Sequence, residues 1–177
     1  MTQPAADGNY GVLTDPTTLR IQRLLPGPIE RVWAYLTESD LRRQWLAAGA
    51  MQAVAGTAFE LVWRNDELSD APSQRPAGFA DEHRMQSHIV EFEPPRKLVF
   101  TWQGSGKVSF ELRPQGDQVL LTVIHTQLHE RNDALMVGAG WHMHLDLLLA
   151  RLAGARGASF WDGWSRLRQE YDRRIPA

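Results

Sequence analysis

Six histidines are the side chains of this sequence best suited to binding a metal or moving a proton. His125 and His129 are four residues apart, and His142 and His144 are two apart. Residues two apart on a helix point about 200° away from each other. No acidic residue or cysteine stands at a recognisable spacing to complete a metal's ligand set. We therefore predict no metal site, and we predict no bound cofactor.

His125 has a position from which it could act on a small molecule. It ends an alternating apolar strand, and the alternation turns its side chain toward the helix that follows, near Trp141 and His144. An imidazole in a cavity can orient a polar substituent of a ligand or accept a proton. It can equally be a core residue, hydrogen-bonded to a backbone carbonyl or to an indole N–H. Both roles stay open, and we favour the second.

The sequence shows no motif for covalent or phosphate chemistry. Ser87 is adjacent to His88, but neighbours on a strand lie on opposite faces, and no serine has a G-x-S-x-G context. The Gly-Ser-Gly at 104–106 is a short turn followed by a strand instead of a helix, unlike a phosphate-binding loop. We therefore assign no catalytic residue, and we favour a protein without enzymatic activity while leaving that question open.

Large aromatic side chains are unusually frequent, with seven tryptophans in 177 residues. Tryptophan suits a wide core or the wall of a cavity, and its indole N–H needs a partner when it is buried. The inward-facing residues either fill a core or line a pocket, and we favour the pocket. The side chains predicted to contact a ligand are Phe59, Leu61, Trp63, Phe100, Trp102, Phe110, Leu121, His125, Trp141, His144, Leu145 and Leu148.

Composition narrows the class of protein. Hydrophobic residues make up 43% and charged residues 23% of the chain, which is ordinary globular usage for one domain of this length. The net charge is −2 and the arginines are scattered, so we expect no nucleic-acid partner. Cysteine is absent, and there is neither a leader pattern nor an 18-residue apolar run. We expect a cytoplasmic protein that does not enter a membrane.

Alternation of apolar and polar residues predicts a sheet of about six to seven strands. The strands are expected at residues 18–25, 57–63, 83–93, 97–103, 107–113 and 118–126, with a β-capable segment at 51–54. Residues 1–16 show no periodicity and are predicted to form a flexible arm before a single domain at 17–177. The polar stretch 64–81 is predicted to be a long connection of the kind that covers functional sites.

Helices are predicted on both sides of these strands. Two short ones, at 28–36 and 39–46, follow the first strand. A long one begins by 136–141 and runs to 152, with a stripe of Trp141, Leu145, Leu148 and Leu152 that must pack on the sheet. Ser159 is expected to cap a last helix at 159–174, whose Trp164 and Tyr171 offer a surface for a homodimer.

Four sequence blocks together resemble the START-like (SRPBCC) superfamily, in the branch of activators of a heat-shock chaperone ATPase. They are PIERVWAYLTESDLRRQWL, VEFEPPRKLVFTWQG, VLLTVIHTQL and GWHMHLDLLLARLAG, and the similarity spans roughly residues 18–153. In them Pro94, Pro95 and Trp102 match a Pro-Pro turn and the strand that follows it in the family. His125 matches the family's histidine at the end of the last strand, and Gly140-Trp141 matches the Gly-Trp that opens its long helix. The resemblance implies an α+β helix-grip fold, in which a curved antiparallel sheet wraps around the long helix.

Three functions are compatible with this resemblance. The first is binding of a small hydrophobic ligand in a cavity between the sheet and the C-terminal helix, with His125 or His144 orienting it. The second is a protein-interaction module resembling the chaperone ATPase activators, with a chaperone as partner. The third is an enzyme of the polyketide cyclase or aromatase type. We favour the first, because no catalytic motif is present and the inward aromatic residues suit a cavity.

Overall fold

The computed structural model describes residues 7–69 and 73–177. The strands are β1 (Val12–Asp15), β2 (Thr18–Pro26), β3 (Ala58–Trp63), β4 (His83–Glu93), β5 (Lys97–Trp102), β6 (Gly106–Gln115) and β7 (Gln118–His125). The helices are α1 (Ile29–Thr37), α2 (Ser39–Arg42), α3 (Arg131–Leu152) and α4 (Phe160–Arg174), with short 3-10 turns at Asp7–Asn9 and Asn65–Glu67.

All seven strands form one antiparallel, curved sheet in the order β1-β2-β7-β6-β5-β4-β3. Alternate side chains of each long strand are buried against the helices, as in β2, where Leu19, Ile21 and Leu25 are inside. The predicted α+β helix-grip fold is confirmed, including the two short helices after β2.

Helix α3 is buried on most of its surface because it lies between two layers. The predicted stripe of Trp141, Leu145, Leu148 and Leu152 is buried, and so are Met143 and Leu147 on other faces. Each fully buried leucine contributes about 1.5–3 kcal/mol before entropy is counted. Helix α4 covers α3 so closely that a Cβ added at Gly138 would lie 3.1 Å from the Tyr171 ring.

The second short helix ends at Arg42, although a helix over 39–46 is predicted. The chain leaves the helix because Ala48 pairs with Val62 of β3, which requires an extended backbone. The buried Arg42 guanidinium stabilises this bend by donating hydrogen bonds to the carbonyl oxygens of Leu36, Thr37, Ala47 and Gly49. Residues 51–54, predicted as β-capable, form no strand.

Helix α3 begins at Arg131, five residues before the predicted start. The polar first turn looks like a connection in sequence, yet it packs against the end of α4. Arg131 donates hydrogen bonds to the backbone oxygens of Asp172, Ile175 and Pro176, and it forms an ion pair of 2.9 Å with the Asp172 carboxylate. These partners lie more than 40 residues away, beyond the reach of a periodicity argument.

The predicted flexible arm is wrong for residues 12–15, which form β1 at the edge of the sheet. The preceding residues are also held by the fold. The phenolic oxygen of Tyr171 accepts a hydrogen bond of 2.7 Å from the Gly11 N–H, and Arg23 donates one of 2.6 Å to the Asn9 carbonyl. Residues 1–6 of the predicted arm lie outside the described residues.

Helix α4 is present close to its predicted bounds, but its aromatic stripe is not a free surface. Trp164 and Tyr171 are buried within the chain, so these two side chains are not available to a second copy. Ser159 precedes the helix without capping it, and its buried Oγ has no hydrogen-bond partner among the described residues.

Within the described ranges, no helix combines the length and the apolar character needed to cross a membrane.

Candidate functional site

A cavity of about 440 Å³ lies between the β3–β5 end of the sheet and α3. Strands, helices and the long connection before β4 all contribute to its wall, which is mainly apolar. The lining residues are Leu46, Trp63, Asn65, Gly78, Phe79, Ala80, Asp81, His83, Trp102, Met136, Val137, Gly140, Trp141, His144 and Trp161.

Strand ends bring two tryptophans to the inner wall. Trp63 is the last residue of β3 and Trp102 the last of β5, and β4 pairs with both strands. Their rings meet edge to face with centroids 5.4 Å apart, and the Trp102 ring is 5.9 Å from Trp141 on α3. Three indoles from three elements therefore form a continuous aromatic surface.

The outer wall comes from the long connection and α4. Phe79 lies between two tryptophans of α4, with ring centroids 5.0 Å from Trp161 and 5.1 Å from Trp164. The Trp161 indole N–H donates a hydrogen bond of 2.7 Å to the Asp66 carboxylate in the same connection. The described part of the polar stretch 64–81 therefore covers this end of the cavity.

His144 is the buried titratable side chain in the wall. Its Nδ1 lies 2.7 Å from the Trp45 carbonyl oxygen. Because a carbonyl only accepts, Nδ1 carries the proton and Nε2 has a free lone pair. Burial lowers the pKa of His144 to about 4, against the smaller opposing effect of that hydrogen bond. The imidazole is therefore neutral at pH 7, with an acceptor nitrogen.

His125 has the opposite tautomer and lies outside this cavity. The Trp141 indole N–H donates a hydrogen bond of 3.0 Å to its Nδ1, so Nε2 carries the ring proton. Burial lowers the pKa of His125 to about 4. The residue borders a second hollow of about 260 Å³, which shares Trp102 with the cavity. The bond from an indole N–H is the arrangement expected of a core histidine.

Four of the predicted ligand-contacting residues lie together in the cavity wall: Trp63, Trp102, Trp141 and His144. Seven others belong to the buried core and do not line it: Phe59, Leu61, Phe100, Phe110, Leu121, Leu145 and Leu148. Sheet parity places the strand residues among them on the inward face, and helix periodicity places Leu145 and Leu148 on α3 facing the sheet. Neither pattern distinguishes the end of the sheet that α3 leaves open from the middle that it fills.

Sequence reasoning missed the other lining residues, which include the whole outer wall: Leu46, Asn65, Gly78, Phe79, Ala80, Asp81, His83, Met136, Val137, Gly140 and Trp161. One signal was available, because Phe79 is the single aromatic residue in the polar stretch 64–81. An isolated large apolar residue in such a stretch indicates an anchor to the core.

The described residues include no group of three histidine, cysteine or acidic side chains able to hold a metal. Ser87 donates a hydrogen bond of 2.7 Å to the Thr101 carbonyl, whereas His88 lies exposed on the other face of β4. The two neighbours therefore do not form a nucleophile and base.

Comparisons with known proteins give the family. The family model described as "Activator of Hsp90 ATPase homolog 1-like protein" matches residues 26–153. A solution structure of the protein encoded by gene BPP1335 from Bordetella parapertussis is 37% identical, with a TM-score of 0.78 over 100% of this chain and 97% of that chain. No functionally curated protein matches the sequence significantly.

More distant solved structures share the fold alone. CalU16 from Micromonospora echinospora is 20% identical, with a TM-score of 0.65 over 90% of this chain and 89% of that one. EF2215 from Enterococcus faecalis, a conserved protein of unknown function, is 18% identical, with a TM-score of 0.68 over 96% and 91%. Because the family model covers most of the chain, this protein belongs to the family of Activator of Hsp90 ATPase homolog 1-like proteins.

Proposed function

We propose that the protein binds a small, mostly apolar molecule in the cavity bounded by β3, β5, α3 and α4. The observation that carries this proposal is the convergence of Trp63, Trp102, Trp141 and Trp161 on one cavity of about 440 Å³. Ligand sites in proteins are commonly concave, apolar and of about 300–1,000 Å³.

The cavity wall is held in place before any ligand binds. Trp141 donates its indole N–H to His125, and Trp161 donates its own to Asp66. Trp63 and Trp102 are the last residues of β3 and β5, and both strands pair with β4. A binding surface fixed in this way loses little conformational freedom when a ligand enters, which favours affinity.

One substitution should fill part of the cavity without a clash in the rest of the fold. Gly140 lines it from α3, and a Cβ built there meets no atom within 4 Å. A leucine at this position would occupy cavity space, whereas an alanine adds a single methyl group. Both variants remove the glycine from the helix, but only Gly140→Leu places a large side chain in the cavity. Comparing the two therefore isolates the effect of filling the cavity.

The test is a fluorescence titration with N-phenyl-1-naphthylamine, a neutral apolar probe that brightens when it leaves water. We expect saturable binding to the wild type and to Gly140→Ala, and at least about tenfold weaker binding to Gly140→Leu. Thermal unfolding of the three proteins checks that each is folded. Absence of saturable binding to the wild type, or equal affinity for the two variants, would contradict the proposal.

The family description favours a second candidate, an interaction module that stimulates a chaperone ATPase. That function needs an external surface instead of the cavity. Stimulation of a chaperone's ATPase that is equal for the wild type and Gly140→Leu would support this candidate. Absence of stimulation at saturating protein would exclude it.

A further inference from the structure

The tautomer of His144 determines which ligand groups can form a hydrogen bond with it in the cavity. Nδ1 is committed to the Trp45 carbonyl at 2.7 Å, and Nε2 makes no hydrogen bond within the described parts of the chain. His144 is only 7% exposed, yet it borders the cavity. Nε2 is therefore the ring nitrogen available to a bound molecule, and it can only accept a hydrogen bond.

Neighbouring groups prevent the ring from changing this role. Phe160 of α4 packs against the imidazole with ring centroids 4.8 Å apart. The Trp45 carbonyl oxygen accepts the hydrogen bond from Nδ1. A change of tautomer would leave that buried carbonyl without its donor. Burial also keeps the ring neutral at pH 7, so it offers no positive charge to an anionic ligand.

We infer that the natural ligand of the cavity is an apolar compound that carries a hydroxyl group, and that this hydroxyl donates its hydrogen bond to His144 Nε2. This inference rests on the proposed ligand-binding function and adds the chemical class of the ligand. A ligand that has only carbonyl or ether oxygens would place an acceptor against an acceptor. A carboxylate would do the same, and the lining already includes the acidic residue Asp81.

The chain offers a variant that removes the acceptor and keeps the internal hydrogen bond. In His144→Asn the side-chain amide nitrogen can take the position of Nδ1 and donate to the Trp45 carbonyl. No acceptor then stands where Nε2 does. The variant tests the hydroxyl contact while the partner of Trp45 is retained.

The probes are 2-naphthol and 2-methoxynaphthalene, which share a ring system and differ in the O–H donor. Each displaces N-phenyl-1-naphthylamine in a competition titration. We expect the wild type to bind 2-naphthol about five- to tenfold more tightly than its methyl ether. His144→Asn should bind the two compounds equally, with the affinity for the ether close to that of the wild type.

A second measurement needs no substitution. The ¹⁵N resonance of His144 Nε2 should move when 2-naphthol is added to the wild type, in the direction of a nitrogen that accepts a hydrogen bond, and should stay in place with the ether. Equal wild-type affinities together with an unmoved Nε2 resonance would overturn the hydroxyl class and leave cavity binding intact. Failure of the fluorescent probe itself to bind would overturn the proposed function.

Discussion

The indole N–H of Trp141 donates a hydrogen bond of 3.0 Å to Nδ1 of His125, joining the centre of α3 to the end of β7. Both side chains are buried, at 3% and 2% exposure. This contact gives the buried N–H its partner and fixes the tautomer of the histidine. It explains a histidine at the end of an apolar strand without requiring a catalytic role.

Replacing His125 should therefore cost stability. In His125→Ala the Trp141 N–H loses its partner in a closed site, and we expect a loss of about 2–4 kcal/mol in the free energy of unfolding, including the space left by the ring. In His125→Asn the amide oxygen can accept the same hydrogen bond, so the loss should be smaller. Urea unfolding of both variants measures the difference. Equal losses would show that the hydrogen bond is unimportant.

Two glycines of α3 should respond in opposite ways to alanine. At Gly140 a Cβ meets open space, so Gly140→Ala should raise stability by about 0.5–1 kcal/mol through helix propensity. At Gly138 it would press on the ring of the fully buried Tyr171 at 3.1 Å, so Gly138→Ala should lower stability. Thermal unfolding of both variants and the wild type measures the two changes in stability. A Gly138→Ala variant more stable than the wild type would show that α4 can move away from α3.

Tyr171→Phe should loosen the attachment of the residues before β1. The phenolic oxygen accepts from the Gly11 N–H at 2.7 Å and lies 3.0 Å from His142 Nδ1. Without it both buried groups are unpaired, at a cost of about 1–3 kcal/mol. Hydrogen exchange of the Gly11 amide should accelerate well beyond that of the β7 amides. Unchanged protection at Gly11 would mean that packing alone holds this segment.

Stability should fall as the pH is lowered from about 7 to about 4. Burial lowers the pKa of His125 and His144 to about 4, and burial together with the charge of Arg23 lowers the pKa of His142 to about 3. The ordinary pKa is about 6.5, so in this range the unfolded chain binds more protons than the folded one, and protons favour unfolding. Each histidine should contribute about 1–2 kcal/mol between pH 7 and pH 5.

Urea unfolding at these two pH values measures that slope, with His144→Asn as the control that should have a shallower one. Stability that does not change between pH 7 and pH 5 would contradict the buried, neutral state of these rings, on which the acceptor role of His144 depends.

Local pattern predicts most of this fold and only the inner half of the site. Alternation from Leu19 to Leu25 and the stripe from Trp141 to Leu152 are properties of single elements, so one sequence shows them. The position of Phe79 between Trp161 and Trp164 is set by contacts between segments more than 80 residues apart. Nothing periodic marks such contacts, and the outer wall of the cavity was missed for that reason.

The same distinction explains the two histidines. Parity places His125 inward, but it lines the neighbouring hollow instead of the cavity, and Trp102 lines both. His144 was predicted as a ligand contact, and it does line the cavity. Its tautomer depends on the Trp45 carbonyl, 99 residues away in the chain, and that contact is visible only in three dimensions.

The most direct test of the account is an NMR titration of the indole N–H resonances with naphthalene. Trp63 and Trp102 line the cavity, whereas Trp33 packs against Phe92 away from it, with ring centroids 5.3 Å apart. We predict that the Trp63 and Trp102 resonances move to saturation while that of Trp33 stays in place. Resonances of Trp63 and Trp102 that do not move at the solubility limit of naphthalene, or shifts confined to Trp33, would contradict binding in the cavity.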